Sequence, residues 1–437
     1  MSAAAKDQVV AATHTPAGLR RARVAYLVSH PIQYQAPLLR RIAQEPGIDL
    51  TVFFASDFSL RAYRDRGFGV DVAWDIPLLE GYRHNFLPSL RDTGAPGIFN
   101  PISHGLWRRL KGDGQATRFD LLWLHGYASL NHLRALAIAK ILGIPAVVRS
   151  DSTLRDRPRG RVKLLAKSLF FKALRPFLAG ALAGGTLNRN YWEFYLGEDF
   201  PVFVMPYAVD NAFFQQRCRE AASQREELRG ELGLEPGRPV ILFASKLQTR
   251  KRCRDLVAAY ARLTGDPGQQ PQPYLLIVGD GEERGALERQ VAELGLTGVR
   301  FCGFRNQTEL PRFLDLCTVF VLPAQHEPWG LIVNEAMNAA RPVIVSDDVG
   351  GQPDLVTNGV EGLVYPVGNV DALADALRQI LADPEAAQTM GRKALERVDA
   401  WDFEHDVLVL RQAIDQLCRQ PRVAAPASGQ MAHWEQS

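Results

Sequence analysis

The chain has 437 residues, 46% hydrophobic and 23% charged, so it is long enough for two or three domains and is composed like a soluble globular protein, not a disordered or collagenous one. No apolar run approaches the ~18 residues that a spanning helix needs, and nothing before Arg20 forms a signal-type apolar core, so neither a membrane span nor secretion is expected. The net charge of +3 hides an imbalance: residues 1–205 hold 27 Lys and Arg against 16 Asp and Glu, and the remainder holds 24 against 32, which hints that one half faces an anionic partner.

Residues 1–20 are rich in Ala and Thr and read as a loose segment. "RVAYLVSH" (23–30) reads as a buried strand, "APLLRRIAQ" (36–44) as a helix and "IDLTVFFAS" (48–56) as a second strand. Strand-like runs recur at 120–125, 145–150, 180–185 and 201–206, with helical stretches such as 131–142 and 161–178 between them. After a linker near "YAVDNAFFQQ" (207–216) the pattern restarts, with strands at 239–245, 273–281, 299–304, 318–323 and 341–347. Helices are expected at about 254–264, 283–294, 308–316 and 330–340, and three more over 370–383, 385–398 and 404–419; "DPGQQPQP" (266–273) reads as a turn-rich loop. Short β-branched runs alternating with amphipathic helices predict two doubly wound parallel sheets, and ligands bind such sheets beyond the carboxyl ends of the strands. The tail from 421 to 437 lacks periodicity and reads as disordered. The five cysteines (Cys218, Cys253, Cys302, Cys317, Cys418) are scattered and form no CxxC pair, which argues against a zinc site or disulfide framework and fits a reducing cytoplasm.

The stretch "HEPWGLIVNEAMNAARPVIVSD" (326–347) follows the strand "TVFVLP" and turns into a helix near Trp329 or Gly330. Pro328 suits a first helical turn, where its missing N–H costs nothing. The N–H groups of Gly330, Leu331 and Ile332 make an anion site assisted by the helix dipole. Glu327 lies on the loop and Glu335 at least a turn into the helix, so the two carboxylates do not flank one bond. They are spaced to grip two parts of one extended ligand with an anionic group between them.

"EPWGLIVNEAM" (327–337) resembles the E-x7-E signature of the family-4 retaining glycosyltransferases, which have the GT-B fold. "FASKLQTRKR" (243–252) is similar to that family's Arg-x4-Lys phosphate-binding loop, with Lys246 in the Arg position and Lys251 in the Lys position. "IVGDGEER" (277–284), "VRFCGF" (299–304), "VSDDVGGQPDLV" (345–356) and "EGLVYPVGNVDALADAL" (361–377) follow in family order, and "MPYAVDNAFF" (205–214) is similar to the family's domain junction. The resemblance runs over about residues 23–420 and is far more specific in the second half. It implies an α/β GT-B architecture: two Rossmann-like domains facing a cleft, with C-terminal helices closing the chain. The acceptor-side domain would span 21–206, the nucleotide-sugar domain 207–400 and a C-terminal helix 401–420. It also implies that Glu335 bonds the ribose, that Glu327 touches the transferred sugar, and that Lys246, Lys251 and the helix N-terminus at Gly330, Leu331 and Ile332 hold the diphosphate. Base recognition would fall near "FCGFRN" (301–306), with Phe304 among the binding residues. Attack on the face the phosphate leaves would retain configuration and need no protein nucleophile. The substrate would be a nucleotide-diphosphate sugar, with no cofactor. No D-x-D occurs anywhere in the chain, which argues against the metal-dependent class, so no metal is expected.

The first half departs from the pattern. The loop "SHPIQYQAPL" (29–38) has no Gly; its His30, Gln33 and Tyr34 sit where they would meet acceptor or phosphate. The position of the family's sugar-contacting histidine holds Asp151, which is placed to accept a hydrogen bond from a sugar hydroxyl, with Arg149 orienting it. His125 ends its strand at the same edge and joins Glu327 and Asp151 as a catalytic candidate. The segment 157–178 interleaves basic and large apolar residues, the pattern of a membrane-surface helix; Arg157 to Arg175 would touch an anionic membrane, which fits a glycan or lipid-linked acceptor in bacterial polysaccharide assembly. No nucleic-acid recognition module is visible. A sugar-nucleotide epimerase of the same fold and a catalytically silent scaffold remain the alternatives.

Overall fold

The computed structural model describes residues 21–92, 94, 97–112, 118–156, 160–265 and 271–418. The expectations for 1–20, for the tail and for parts of 157–178 and 266–273 fall outside the described residues. In the first half, β1 (Ala22–Val28), β2 (Ile48–Phe54), β3 (Arg83–Phe86), β4 (Leu121–His125), β5 (Ala146–Ser150), β6 (Gly180–Ala183) and β7 (Val202–Val204) form one parallel sheet in the order β7-β6-β5-β4-β1-β2-β3. Successive side chains of a strand point to opposite faces, and here both faces are covered, which is why the central strands are apolar almost throughout. On one face Leu27, Leu124 and Val148 pack with Leu136 and Ala139 of α2 (Leu130–Leu142) and Phe171 of α3 (Arg161–Leu174). On the other, Tyr26, Val52 and Trp123 pack with Leu39 and Ile42 of α1 (Ala36–Ala43). Trp123 is 1% exposed, and its truncation to Ala would cost about 3–5 kcal/mol.

The second sheet is built alike from β8 (Val240–Ala244), β9 (Tyr274–Val278), β10 (Val299–Gly303), β11 (Val319–Leu322), β12 (Val343–Ser346) and β13 (Gly362–Tyr365), all parallel, in the order β10-β9-β8-β11-β12-β13. Strand order reverses between β1 and β4 in one sheet and between β8 and β11 in the other. Those reversals open crevices at the carboxyl edges. α4 (Leu331–Asn338) follows β11. The last helix, α5 (Phe403–Cys418), crosses back and buries Val407, Leu410 and Ile414 against the first sheet.

Several elements differ from the sequence reading. The linker near 207–216 is short, because Asp210 caps a helix over Asn211–Ala221 by accepting from the Phe213 N–H. β3, with the polar sequence RHNF, forms an edge strand of the first sheet despite its composition, and β13 forms an edge of the second. Helices over Thr186–Leu196 and Arg225–Leu232 were not expected. Pro328 lies before the helix, not in its first turn, because the cap is Gly330 with φ +90°. Between β2 and β3 a small antiparallel hairpin pairs Tyr63–Arg64 with Asp71–Val72 and reaches towards the second half. No described helix is long and apolar enough to cross a membrane.

Candidate active site

The loop leaving β11 is fastened to the loop leaving β12. The His326 N–H donates to Asp348 Oδ2 at 2.7 Å, the Gly350 N–H to the Glu327 carbonyl at 2.8 Å and the Gly351 N–H to the Trp329 carbonyl at 2.9 Å. Gly350 has no room for a side chain, since a Cβ there would stand 1.9 Å from the Pro328 carbonyl oxygen. Trp329 is anchored beneath by stacking on Trp401 at 5.7 Å and by donating from Nε1 to Asn334 Oδ1 at 3.0 Å. Gly330 then turns the chain into α4 through the left-handed region that glycine tolerates. The first turn bond runs from the Val333 N–H to the Gly330 carbonyl, so the N–H groups of Gly330, Leu331 and Ile332 precede it along the cleft wall.

This wall belongs to a cavity of about 490 Å³ between the two sheet edges. Among its lining residues are Lys246, Arg250, Lys251 and Arg305, facing Glu327, Glu335 and Asp151. Glu327 is buried and accepts from the Lys251 ammonium and, at 2.9 Å, from Arg250 Nη1. Burial alone would raise its carboxyl, but Lys251 and Arg250 outweigh that and hold it below its ordinary value. Burial lowers Lys251, against the pull of Glu327. Glu335 is also buried, and burial pushes it up to about 8, so it is protonated near neutrality. The two glutamates thus share a cavity but not an ionisation state. Arg250 was not singled out in the sequence, although it stands beside Lys251.

The hairpin of the first half crosses to this cavity. Asp65 accepts from Lys246 Nζ at 2.9 and 3.0 Å, and the Lys246 ammonium lies 4.7 Å from the centre of the Phe68 ring. Phe68 meets Phe304 edge-on at 4.7 Å, and Trp74 stands 6.4 Å from the same ring. The contact continues as Asn306 Nδ2 donates to the Ala73 carbonyl at 2.6 Å and Thr308 bonds Asp75. Asp65, Phe68 and Trp74 carry no local signature that marks them, because their partners lie far away in the chain.

Gln33 and Tyr34 line the cavity as expected, and so does Asp151. Asp151 keeps solvent access at the cavity mouth, yet the protein packed around it raises its carboxyl, and nearby Glu327 adds to the effect. His30, His125 and Arg149 do not line this cavity. His30 rests on Phe58 with ring centres 4.5 Å apart, and burial lowers it to about 4. The His125 ring nitrogens lie 2.7 and 2.9 Å from Gln35 Nε2, and burial, helped by Arg149, lowers the ring to about 3. Arg149 is 3% exposed and turns away from Asp151: it donates to the Pro206 carbonyl, covers the Tyr207 ring at 4.7 Å and pairs at 3.7 Å with Asp406 of α5. Its place is under the domain junction.

Residues 224–397 match the family model described as Glycosyl transferases group 1. The chain is 32% identical over 264 residues to alpha-D-kanosaminyltransferase of Streptomyces kanamyceticus, covering 59% of this chain and 66% of that one. It is 33% identical over 309 residues to glycogen synthase of Mycobacterium tuberculosis, covering 69% of this chain and 70% of that one. Among solved structures, HepE of Anabaena in complex with UDP and glucose superposes with a TM-score of 0.66 at 19% identity, over 91% of this chain and all of that one. The facing parallel sheets are those of the GT-B fold, and the chain belongs to the glycosyl transferases group 1 family.

Proposed function

We propose that the chain is a retaining, metal-independent glycosyltransferase that moves a sugar from a nucleotide-diphosphate sugar to a glycan or lipid-linked acceptor, in bacterial polysaccharide or glycoconjugate synthesis. The observation that carries this reading is the cluster of Lys246, Arg250 and Lys251 beside the N-terminus of α4, flanked by two buried glutamates in one cavity between two Rossmann-like sheets. Relatives named for glycosyl transfer, and a neighbour solved with UDP, support the nucleotide sugar as substrate.

In this reading the diphosphate lies between the lysines and the N–H groups of Gly330, Leu331 and Ile332, Glu335 meets the ribose, and the base rests by Phe304. Breaking the bond between sugar carbon and phosphate oxygen concentrates negative charge on the leaving diphosphate. Fixed cations and N–H groups stabilise that charge as it forms, and one such group is worth about 3–4 kcal/mol in comparable sites. The acceptor hydroxyl attacks from the same face and passes its proton to the departing phosphate oxygen, so configuration is retained. Glu327, kept ionised by Lys251 and Arg250, orients the sugar, and Asp151 faces it from the other half.

The membrane contact is part of the same reading. α3 exposes Val162, Leu165 and Leu169 on one stripe, with Arg161, Lys163 and Lys172 around it, which is the layout of a helix that lies on an anionic surface. Cosedimentation with anionic but not neutral vesicles is expected, and it should be lost in Leu165→Asp. The main test is a thermal-shift panel of nucleotides and nucleotide sugars without added metal, on wild type and Glu335→Ala. A ligand that binds only the folded chain at a hundredfold excess over its Kd adds about 2.7 kcal/mol. A shift with one base, weakened in Glu335→Ala, is expected; no shift with any nucleotide overturns the proposal.

A further inference from the structure

A second cavity of about 430 Å³ opens at the carboxyl edge of the first sheet, within the size range of small-molecule sites (~300–1,000 Å³). It meets the first cavity at Asp151, which lines both. Its wall is mostly apolar, with Leu27, Val28, Ala55 and Ile98 in it, and the hydroxyls of Ser29, Ser129, Ser150, Ser152 and Tyr127 are set among them with His132 beside. Among the described residues no lysine or arginine lines it.

We infer that this cavity takes an uncharged, hydroxyl-rich acceptor, such as the neutral end of a glycan, and turns away a phosphorylated one. The inference rests on the proposed transferase reading and names its acceptor class. Three independent features support it. The first is Ser150, which is 7% exposed and whose Oγ has no hydrogen-bond partner in the structure. A buried hydroxyl without a partner is costly unless a ligand supplies one. The second is the N-terminus of α2, which opens on the cavity but has already used most of its donors. The Leu130 N–H donates to the Ile98 carbonyl at 2.8 Å, the His132 N–H to Ser129 Oγ at 3.3 Å and the Leu133 N–H to the Ser129 carbonyl at 3.1 Å. An anion arriving there would lack the set of free N–H groups that makes helix ends attractive to phosphate. The third is charge. Asp151 is the cavity's carboxylate and repels an anion, while His132, 6% exposed and lowered by burial to about 4, brings no positive charge. A phosphate here would be a desolvated charge without a partner. A sugar ring would instead bond the serines and lie against Tyr127, whose hydroxyl is held by Tyr191 at 2.6 Å.

The test is saturation-transfer NMR on the full chain loaded with UDP. The panel pairs methyl glucosides, N-acetylglucosamine and myo-inositol with glucose 6-phosphate and inositol 1-phosphate. The neutral members are expected to give signal and the phosphates none. Ser150→Val, which fits a strand, should reduce the neutral signal at least fivefold. Ser152→Arg, which adds a cation at the wall, should bring phosphate signal up. UDP binding, measured in the same samples, should be unchanged in both variants. Signal from the phosphates on wild type, or from neither class while UDP binds, overturns the inference and leaves the transferase reading standing. Failure of UDP and every other nucleotide to bind overturns both.

Discussion

The two sheets share one strand order but not one kind of edge. The edge of the second sheet presents Lys246, Arg250 and Lys251 with two buried glutamates, and the edge of the first presents a mostly apolar wall with a few hydroxyls and, among the described residues, one carboxylate. The charge balance of the sequence points the other way, because the basic excess lies in residues 1–205. The cations that line the central cavity come from the net-acidic half, whereas part of the first half's excess sits on exposed positions of α3, at Arg161, Lys163 and Lys172. Net charge of a half therefore says where a surface is attracted, and a few buried charges decide what a cleft holds.

The largest effect that would test this division is Lys251→Ala. It removes the nearest cation from Glu327 and from the proposed phosphate site, so kcat/KM should fall about 10²–10³-fold. Stability should fall by about 3 kcal/mol, because Glu327 is left buried with Arg250 alone. Unchanged kinetics would break the comparison. A smaller effect is expected from Glu335→Gln, through pH. Glu335 sits at about 8 when folded against an ordinary 4.5, so the folded chain holds a proton that the unfolded chain loses across that window. Its contribution to stability is whole below about pH 4.5 and is lost as pH rises through about 8. The glutamine variant should melt like wild type near pH 5 and be more stable near pH 8.5, by an amount on the order of 2 kcal/mol. Calorimetry at the two pH values decides it.

The next two variants lie in the first half. Asp65→Asn frees Lys246 from its carboxylate partner, so nucleoside diphosphate should bind about fivefold more tightly by calorimetric titration. Weaker binding would mean that Asp65 positions the lysine instead of occupying it. His125→Gln should be the mildest. Stability drops by about 1 kcal/mol as the contact with Gln35 changes, and kcat stays within about twofold. A large loss of kcat would place His125 in the chemistry despite its seat behind the cleft wall.

What could be read from the chain follows from how local each signal is. The strands at 22–28, 146–150 and 240–244 announce themselves because both of their faces are buried and both are apolar. Glu327, Gly330 and Glu335 are legible because one loop and one helix carry all three. Asp65 pairs with a lysine 181 positions away, so neither residue's neighbours foretell the contact. Arg149 and His125 looked like edge residues because they lie at or next to the ends of strands, but their side chains turn into the junction and towards Gln35. β3 was missed because an edge strand needs little apolar sequence when its neighbour supplies the backbone partners.

The return of α5 to the first sheet means that the chain crosses between the halves twice. The crossings run side by side, tied by Asn211 Nδ2 donating to the Val398 carbonyl at 2.8 Å and Trp401 Nε1 to the Tyr207 carbonyl at 3.2 Å. A plate held at one pin can swivel in any direction, whereas a plate held at two neighbouring pins swings only about the line through them. Were the halves to part, these two neighbouring crossings would leave the line through them, beside Trp401 and the Trp329 ring it stacks on, as the easy axis of the swing.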